Sequence, residues 1–246
     1  MIKAILFDFN ATLISAPAWM ALETRTLARD AFNFLAAQGH IAPLSAEQLL
    51  KAEAVFEMAR KTADQTNRET SHVADLIAVI NALGYQKTVS HLLAEETVAV
   101  LHRSCIPNVK LMVHVEKTLE LLQAKGLRLG IISNAAYAPF LIWTLEHFKI
   151  LDVFEEVVVS ADVGGRKPGA EIFQMTLARM RLKPSEVVYV GDDFHKDVVP
   201  SKQLGLRAVW YRPEGDASIP TGGTIPDAVV VGHDDLPTLA EQWLLR

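Results

Sequence analysis

The sequence predicts an α/β fold in which a doubly wound parallel β-sheet carries an inserted helical bundle. Residues 1–16 hold one short apolar run, residues 17–107 hold only helical patterns, and residues 108–246 alternate apolar runs with amphipathic helices. That alternation is typical of a parallel sheet covered by helices on both faces. Because the first strand has no crossover helix of its own, we interpret residues 17–107 as an insertion into one α/β domain made of residues 1–16 and 108–246.

The first strand and the helical stretch have clear local signals. Residues 2–7, IKAILF, form an apolar run that ends at Asp8 and predicts a buried strand. Ser45 and Gln48 have the spacing of a capping box, which predicts a helix that begins there. Four helical faces follow one another, led by Leu27 and Leu35, Leu49 and Phe56, Leu76 and Ile80, and Leu93 and Val100. Four amphipathic helices in succession predict a small bundle.

The second half of the chain supplies the rest of the predicted sheet and its helices. Strands are expected at 127–132, 157–159, 187–190, 208–211 and 228–231. Helices are expected at about 113–125, 137–147, 170–180, 196–204 and 236–243. The stretch 213–226 is rich in Gly, Pro and Thr and predicts an exposed loop.

The composition is globular and limits the classes of partner. Half of the residues are hydrophobic, and 24 Lys and Arg stand against 29 Asp and Glu, a net charge of −5. An acidic chain without a basic block is a poor ligand for nucleic acid or anionic membranes. No apolar stretch approaches the ~18 residues of a membrane span, and the N-terminus lacks a signal-peptide layout. The single cysteine, Cys105, excludes an internal disulfide. We expect a cytoplasmic protein.

Four of the predicted strands end in residues that can do chemistry. These are Asp8, Asn10 and Thr12 after the first strand, Ser133 and Asn134 after 127–132, Lys167 after 157–159, and Asp192, Asp193 and Asp197 after 187–190. Ligands of open α/β sheets bind at the carboxyl ends of the strands, so these groups are expected in one site. Crowded carboxylates repel one another, and a Mg²⁺ ion with oxygen ligands relieves that repulsion. An aspartate beside a metal-held phosphoryl group can itself be the nucleophile.

In order and placement, the four segments resemble the motifs of the haloacid dehalogenase-like hydrolase superfamily, most closely its Mg²⁺-dependent phosphatases. The family's first motif, Asp-x-Asp-x-Thr, corresponds to residues 8–12, DFNAT. The second corresponds to Ser133, the third to Lys167, and the fourth to residues 191–197, GDDFHKD. The resemblance covers essentially the whole chain. It implies a Rossmann-like core, and it implies that the helical bundle is the family's C1 cap.

The resemblance also implies roles for these residues. Asp8 would be the nucleophile and a ligand of Mg²⁺, together with Asp192 and the backbone carbonyl of Asn10. Ser133 and Lys167 would hold the phosphoryl oxygens, and Thr12 and Asn134 would add phosphate contacts. Asp193 and Asp197 would act behind the metal ligands, through water or by orienting Lys167.

One position departs from the family's phosphatases. In those phosphatases the second aspartate of the first motif is a general acid and base. Asn10 occupies this position here, and an amide can be neither. Haloacid dehalogenases also lack that aspartate, because a halide leaving group needs no proton. Those enzymes need no metal, however, and they lack the Gly-Asp-Asp pattern found at 191–193. Asn10 could equally be an engineered trap, since Asn is nearly isosteric with Asp.

The preferred function is therefore a Mg²⁺-dependent phosphatase that hydrolyses a small phosphorylated metabolite through an aspartyl-phosphate on Asp8. The first alternative is a carbon–halogen hydrolase that uses Asp8 on carbon. The second is a phosphometabolite-binding protein that has lost turnover. Taken singly, the residues also have ordinary explanations: Asp8 can cap a turn, Ser133 can cap a helix, and Lys167 can be a solvated surface lysine. Substrate identity and oligomeric state stay open.

Overall fold

A six-stranded parallel β-sheet forms the α/β part of the computed structural model, which describes residues 1–213 and 223–244. The strands in chain order are β1 Ala4–Phe7, β4 Arg128–Ser133, β5 Glu156–Val159, β6 Val187–Gly191, β7 Arg207–Tyr211 and β8 Ala228–Val230. Their spatial order is β5-β4-β1-β6-β7-β8, with every neighbouring pair parallel. The predicted doubly wound α/β fold is therefore confirmed. The predicted loop 213–226 lies largely outside the described residues.

The strand order places a ligand-binding crevice at the carboxyl end of β1. From β1 the chain builds the sheet outward through β4 and β5, then crosses back to the other side of β1 to add β6, β7 and β8. Such a reversal point is where open α/β sheets bind ligands. Phe7 is in register with Ile131 of β4 and with Val190 of β6, so the residues that follow these three strands lie at one edge.

Helices flank the sheet and share its core. They are α6 Val115–Ala124, α8 Ser160–Val163, α9 Ala170–Arg179, α10 Val199–Gln203 and α11 Leu236–Leu244. Residues of α9 such as Phe173 pack with Leu6, Ile132 and Tyr189 of the strands in one buried apolar cluster. Removal of this apolar surface from water is the main term that stabilises the α/β part.

The chain contacts divide the molecule into two compact units. One consists of Met1–Ser15, Lys110–Asn134 and Phe148–Arg246, and the other of Ala16–Val109 and Ala135–His147. Residues 135–147, which the sequence analysis placed with the sheet, thus group with the helices. The reason lies in Trp19, which is fully buried and stacks on Phe140 with ring centroids 4.6 Å apart.

The second unit is made of helices. They are α1 Pro17–Ala21, α2 Leu27–Ala37, α3 Ala46–Thr66, α4 His72–Leu83, α5 His91–Cys105 and α7 Pro139–His147, with a π-helical turn at Leu22–Thr26. The predicted capping box is confirmed: Gln48 N donates to Ser45 Oγ at 3.2 Å and Ser45 N donates to Gln48 Oε1 at 2.9 Å. Among the described residues, no helix is long and apolar enough to cross a membrane.

One small sheet of the fold has no counterpart in the sequence prediction. A two-stranded antiparallel sheet pairs β2 Ile14–Ser15 with β3 Lys110–Leu111. It joins the two points at which the chain leaves the α/β unit and returns to it. Strands of two residues are too short to give a periodic signal, and only their pairing across the insertion defines them.

Candidate active site

Asp8 lies at the carboxyl end of β1. The four residues of this strand are apolar and buried between β4 and β6, so the strand ends where the first polar side chain occurs. The N–H of Asp8 donates to Val190 O at 2.8 Å, which extends the ladder by one residue. The chain then turns sharply, and the N–H groups of residues 13 and 14 both donate to Phe9 O, at 2.8 and 3.1 Å. Ala11 adopts a left-handed conformation here, with φ of 62°, although glycine is less strained there.

Lys167 is the buried cation of this site. Its Nζ donates to Asp8 Oδ1 at 2.5 Å, to Asp197 Oδ1 at 2.7 Å and to the hydroxyl of Tyr189 at 2.8 Å. Asn134 fixes the Lys167 backbone from both sides: Lys167 N donates to Asn134 Oδ1, and Asn134 Nδ2 donates to Lys167 O, each at 2.8 Å. The ammonium group therefore uses all three N–H bonds within the protein and holds the Asp8 carboxylate in place.

Asp192 is held by the loop that follows β1. Thr12 Oγ1 donates to Asp192 Oδ1 at 3.2 Å, and the indole N–H of Trp210 donates to Asp192 O at 2.8 Å. The backbone of Thr12 is fixed in turn, because His233 Nε2 donates to Thr12 O at 2.6 Å. A carbonyl oxygen only accepts, so this contact assigns the proton to Nε2 of His233.

The segment after β6 is built around two further aspartates. Asp193 caps the π-helical turn Phe194–Val198, since its Oδ1 accepts the N–H groups of His195 and Lys196 at 2.8 and 2.9 Å. Asp197 accepts the N–H of Asp193 with Oδ2 at 3.0 Å, while its Oδ1 faces Lys167. A side chain at Gly191 would overlap the Asp197 carboxyl, which explains the glycine ahead of the aspartates.

The electrostatics of the site are those of crowded, buried carboxylates. Burial raises the pKa of Asp8 to about 6, against the attraction of Lys167 and with repulsion from Asp192. Burial likewise raises the pKa of Asp197 to about 6. The pKa of Asp192 is also raised, by burial and then by the charge of Asp197. Burial opposes the charge of Lys167, but Asp197 and Asp8 together raise the pKa of its ammonium group above the ordinary value.

This donor set fits a hard divalent cation. Asp8, Asp192 and Asp197 each bring a carboxylate oxygen to within 4.8 Å of the other two. One lysine faces three carboxylates, and burial raises the pKa of each of them. Oxygen ligands of this kind suit Mg²⁺. Asp197 is already committed to Lys167 and to a backbone N–H, which leaves Asp8 and Asp192 as the better placed metal ligands.

The remaining predicted residues occupy the same edge of the sheet. Ser133 is buried at the end of β4, two residues beyond the position that pairs with Phe7. The amide oxygen Oδ1 of Asn10 is buried and has no hydrogen-bond partner within the described part of the chain. In this structure the side chains of Thr12 and Asn134 hold Asp192 and the Lys167 backbone, and their phosphate contacts stay predictions.

A cavity of about 290 Å³ opens beside Asp192 in the α/β unit. Its walls include Ala11 of the turn after β1 and Arg212, whose guanidinium lies 4.7 Å from the ring centre of Trp210. This edge of the sheet therefore has space for a small ligand beside Asp192.

Three residues of the site were missed by the sequence analysis: Tyr189, Trp210 and His233. Tyr189 carries a signal that could have been used, because a phenol in an otherwise apolar, fully buried strand must find a polar partner. Its hydroxyl contacts Lys167, Asp197 and Ile132 O. His233 has no comparable signal, since it reaches Thr12 from 221 residues away.

Comparisons with known proteins show what the chain is similar to. The sequence profile of the haloacid dehalogenase-like hydrolase family matches residues 5–211. A glyceraldehyde 3-phosphate phosphatase of Methanocaldococcus jannaschii is 29% identical over 210 residues, which are 85% of this chain and 84% of that protein. A glyceraldehyde 3-phosphate phosphatase of Methanopyrus kandleri is 28% identical over 232 residues, 89% of this chain and 91% of that protein.

The crystal structure of a 2-haloacid dehalogenase from Pseudomonas syringae pv. tomato DC3000 has a similar fold, with a TM-score of 0.77 and 27% identity. The match covers 99% of this chain and 100% of that one. The profile match spans most of the chain and includes all four predicted motifs, so the resemblance drawn from the motifs is confirmed. The chain belongs to the haloacid dehalogenase-like hydrolase family.

Proposed function

We propose that the chain is a Mg²⁺-dependent phosphatase that hydrolyses phosphoric monoesters of small metabolites, with Asp8 as the nucleophile. The observation that carries the proposal is the Asp8–Lys167–Asp197 cluster with Asp192 beside it, at the open edge of the sheet. The phosphatase names of the relatives that match most of the chain support it. The helical unit would act as the cap that selects the substrate.

The proposed reaction has two steps. A carboxylate oxygen of Asp8 attacks phosphorus, the bond from phosphorus to the leaving oxygen breaks, and that oxygen takes up a proton from water. Water then attacks the aspartyl-phosphate, which releases inorganic phosphate, frees the Asp8 carboxylate and returns a proton to solvent. Lys167 keeps Asp8 oriented and favours its ionised form, although burial opposes that form. Ser133 would hold the phosphoryl oxygens as they develop charge, and Lys167 would stabilise them by its positive charge or by exchanging one of its present acceptors for a phosphoryl oxygen.

Asp8, Asp192 and the backbone carbonyl of Asn10 would hold Mg²⁺. When bound, the ion supplies positive charge that offsets both the carboxylates and the phosphoryl oxygens. Asp193 and Asp197 would not bind the ion directly but would position other groups of the site. Asp193 caps the turn after β6, and Asp197 anchors Lys167.

A carbon–halogen hydrolase is the second candidate, and Asn10 is the observation that favours it. In that reaction Asp8 would attack carbon and expel halide, which needs no proton donor, so an amide at position 10 costs nothing. The similarity over the full chain to a 2-haloacid dehalogenase points the same way. The carboxylate set at Asp192 and Asp197 favours the phosphatase, because carbon–halogen hydrolysis has no use for a cation there.

A substrate panel separates the candidates. Alkyl, aryl and acyl phosphates and 2-haloacids are assayed with Mg²⁺ and with excess chelator. We expect phosphate release that needs Mg²⁺ and no halide release. Asp8→Asn should lower turnover about 10³-fold or more, whereas Asp152→Asn, at an exposed position of the same unit, is the control. Halide release in chelator would assign the chain to the second candidate. Tight phosphometabolite binding without any turnover would make it a binding protein.

The cytoplasmic location and the absence of nucleic-acid and membrane partners also stay predictions.

A further inference from the structure

The helical unit contains a second cluster of metal-ligating side chains. Glu23 lies in the π-helical turn Leu22–Thr26, His72 is the first residue of α4, and His102 lies in the last turn of α5. These side chains are buried, with exposures of 5%, 0% and 0%. One possible ligand atom from each lies within 4.8 Å of the other two. A turn and two helices far apart in the sequence thus converge on one buried point.

A proton count shows that the two imidazoles lack a hydrogen between them. His102 Nδ1 lies 2.8 Å from Val98 O, and His72 Nε2 lies 3.2 Å from Glu23 O. Both carbonyls only accept, so both of these outer nitrogens must carry hydrogen. A neutral imidazole has one N–H, which leaves lone pairs on the inner nitrogens, His72 Nδ1 and His102 Nε2, at a separation of 3.2 Å. A proton or a metal ion between these two nitrogens would relieve the repulsion of the facing lone pairs.

The separation of the two inner nitrogens suits a metal ion. Neutral imidazole, with its one N–H given to a carbonyl oxygen, is the form that binds metal. Two nitrogens 3.2 Å apart, each at the Zn–N distance of about 2.0–2.1 Å, subtend about 100° at the ion, close to a tetrahedral angle.

Glu23 supplies the anionic ligand. Its Oε1 accepts the N–H of Ala136 at 2.5 Å, and one of its carboxylate oxygens lies within 4.8 Å of a ring nitrogen of each histidine. Donation of the outer N–H groups to backbone carbonyls, and support of the carboxylate by a backbone N–H, are the outer contacts that orient metal ligands. Aromatic rings enclose the site: Tyr137 lies 4.4 Å from the His102 ring and Phe56 lies 5.7 Å from the His72 ring.

The charge of the neighbourhood also suits a divalent cation. Arg60 pairs with Glu69 at 2.6 Å and with Asp75 at 3.0 Å, and it also feels the charge of Glu23. One buried guanidinium is thus shared among three carboxylates. Added positive charge beside Glu23 lowers the cost of keeping these groups away from water.

We propose that Glu23, His72 and His102 form a structural binding site for a divalent transition-metal ion, with Zn²⁺ as the expected occupant. Two imidazoles and a carboxylate that supplies one or two oxygens match the ligand types of zinc. The ion would tie the turn after α1, the start of α4 and the end of α5 together. This site is separate from the carboxylates at the end of β1.

Zinc uptake tests the proposal. Asp192→Asn weakens the carboxylate site and serves as the parent. Metal-free protein is loaded with Zn²⁺, freed of unbound ion by gel filtration and analysed by plasma mass spectrometry. We expect one ion per chain in the parent and none after His102→Gln. His91→Gln, at an exposed position of the same helix, should keep the ion. Zinc at a hundredfold excess over its dissociation constant should raise Tm by about 5–10 °C in the parent.

A second measurement avoids the risk that the His102 variant fails to fold. The parent is loaded with Co²⁺, and its visible absorption reports tetrahedral nitrogen ligation. In the parent loaded with diamagnetic Zn²⁺, the ¹⁵N shifts of the ring nitrogens show whether the inner pair binds metal or shares a proton. Intense Co²⁺ bands with metal-shifted inner nitrogens support the site. Absence of Zn²⁺ and Co²⁺ uptake, with a proton shared between His72 and His102, would overturn it.

Discussion

Asn10 separates the two hydrolytic reactions that are open to Asp8. The side chain follows the nucleophile by two residues, and its Oδ1 is buried without a hydrogen-bond partner among the residues described. An amide neither gives nor takes a catalytic proton, so the departure of an alkoxide is unassisted. Phenolate, carboxylate and halide leaving groups need no such help. Whether the proposed nucleophile Asp8 attacks phosphorus or carbon therefore bears on whether its leaving group requires a proton.

Restoring the carboxylate tests this reasoning. Asn10→Asp should speed the turnover of alkyl phosphates by about 10²–10⁴-fold, the usual range for general acid–base catalysis, with a smaller gain on aryl phosphates. The proposed metal ligation by the backbone carbonyl of residue 10 would be unaffected. Turnover on matched alkyl and aryl phosphates measures the effect, with mass spectrometry for phosphate on Asp8. Asn10→Ala, which adds no acid, is the control. No gain on any phosphate would contradict the proposed role of position 10.

At the scale of elements, the turn after β1 is held from the far end of the chain. His233, in the short 3₁₀ segment His233–Asp235, donates to Thr12 O, and Thr12 in turn donates to Asp192. His233 is buried between aromatic residues, with its ring 4.7 Å from that of Tyr211. The C-terminal part of the α/β unit therefore helps to place the first motif.

This contact predicts a pH dependence of stability. Burial lowers the pKa of His233 below its ordinary value, against the effect of its bond to Thr12. Below about pH 6.5 the unfolded chain takes up a proton at His233 that the folded chain does not, so stability is lost as pH falls. His233→Gln keeps an N–H donor and does not titrate. The stability of the wild type relative to this variant should fall between pH 7 and pH 5, as measured by urea unfolding. The same substitution at exposed His40 is the control, and a constant difference would refute the assignment.

At the scale of the whole molecule, the sheet order concentrates negative charge at one edge. The reversal at β1 brings together Asp8 and Asp192, which are 184 residues apart in the sequence, and Lys167 enters between Asp8 and Asp197. Burial, and then repulsion between the carboxylates, raises their pKa values, so the folded state holds these charges at a cost that the unfolded chain does not bear. Without a bound cation, the cluster of carboxylates therefore lowers the free energy of unfolding.

Mg²⁺ should therefore stabilise the folded protein. An ion at a hundredfold excess over its Kd adds about 2.7 kcal/mol to the free energy of unfolding. Asp192→Asn removes a ligand and part of the repulsion, so it should be at least as stable as the wild type in chelator and should gain little from Mg²⁺. Thermal unfolding with Mg²⁺ and with chelator measures both effects, with Asp152→Asn as the control. Equal stabilisation of Asp192→Asn and the wild type would place the ion elsewhere.

The sequence by itself determined the six strands of the parallel sheet, most of the helices and the set of residues at the strand ends. These features depend on local patterns, such as the apolar run before Asp8 and the capping box at Ser45, which operate over a few residues. The residues at the end of β1, β4 and β6 could be grouped in advance because parallel strands deliver their carboxyl ends to one edge.

Only the tertiary structure decided which side chains meet across the sequence. Three features have no periodic signal in the sequence. They are the pairing of β2 with β3, the grouping of residues 135–147 with the helices, and the hydrogen bond between the Tyr189 hydroxyl and Lys167. His72 meets His102 across 30 residues and Glu23 O across 49. Such contacts depend on how helices and strands pack, and packing is set by the whole core, whereas periodicity is set by neighbours three or four residues away.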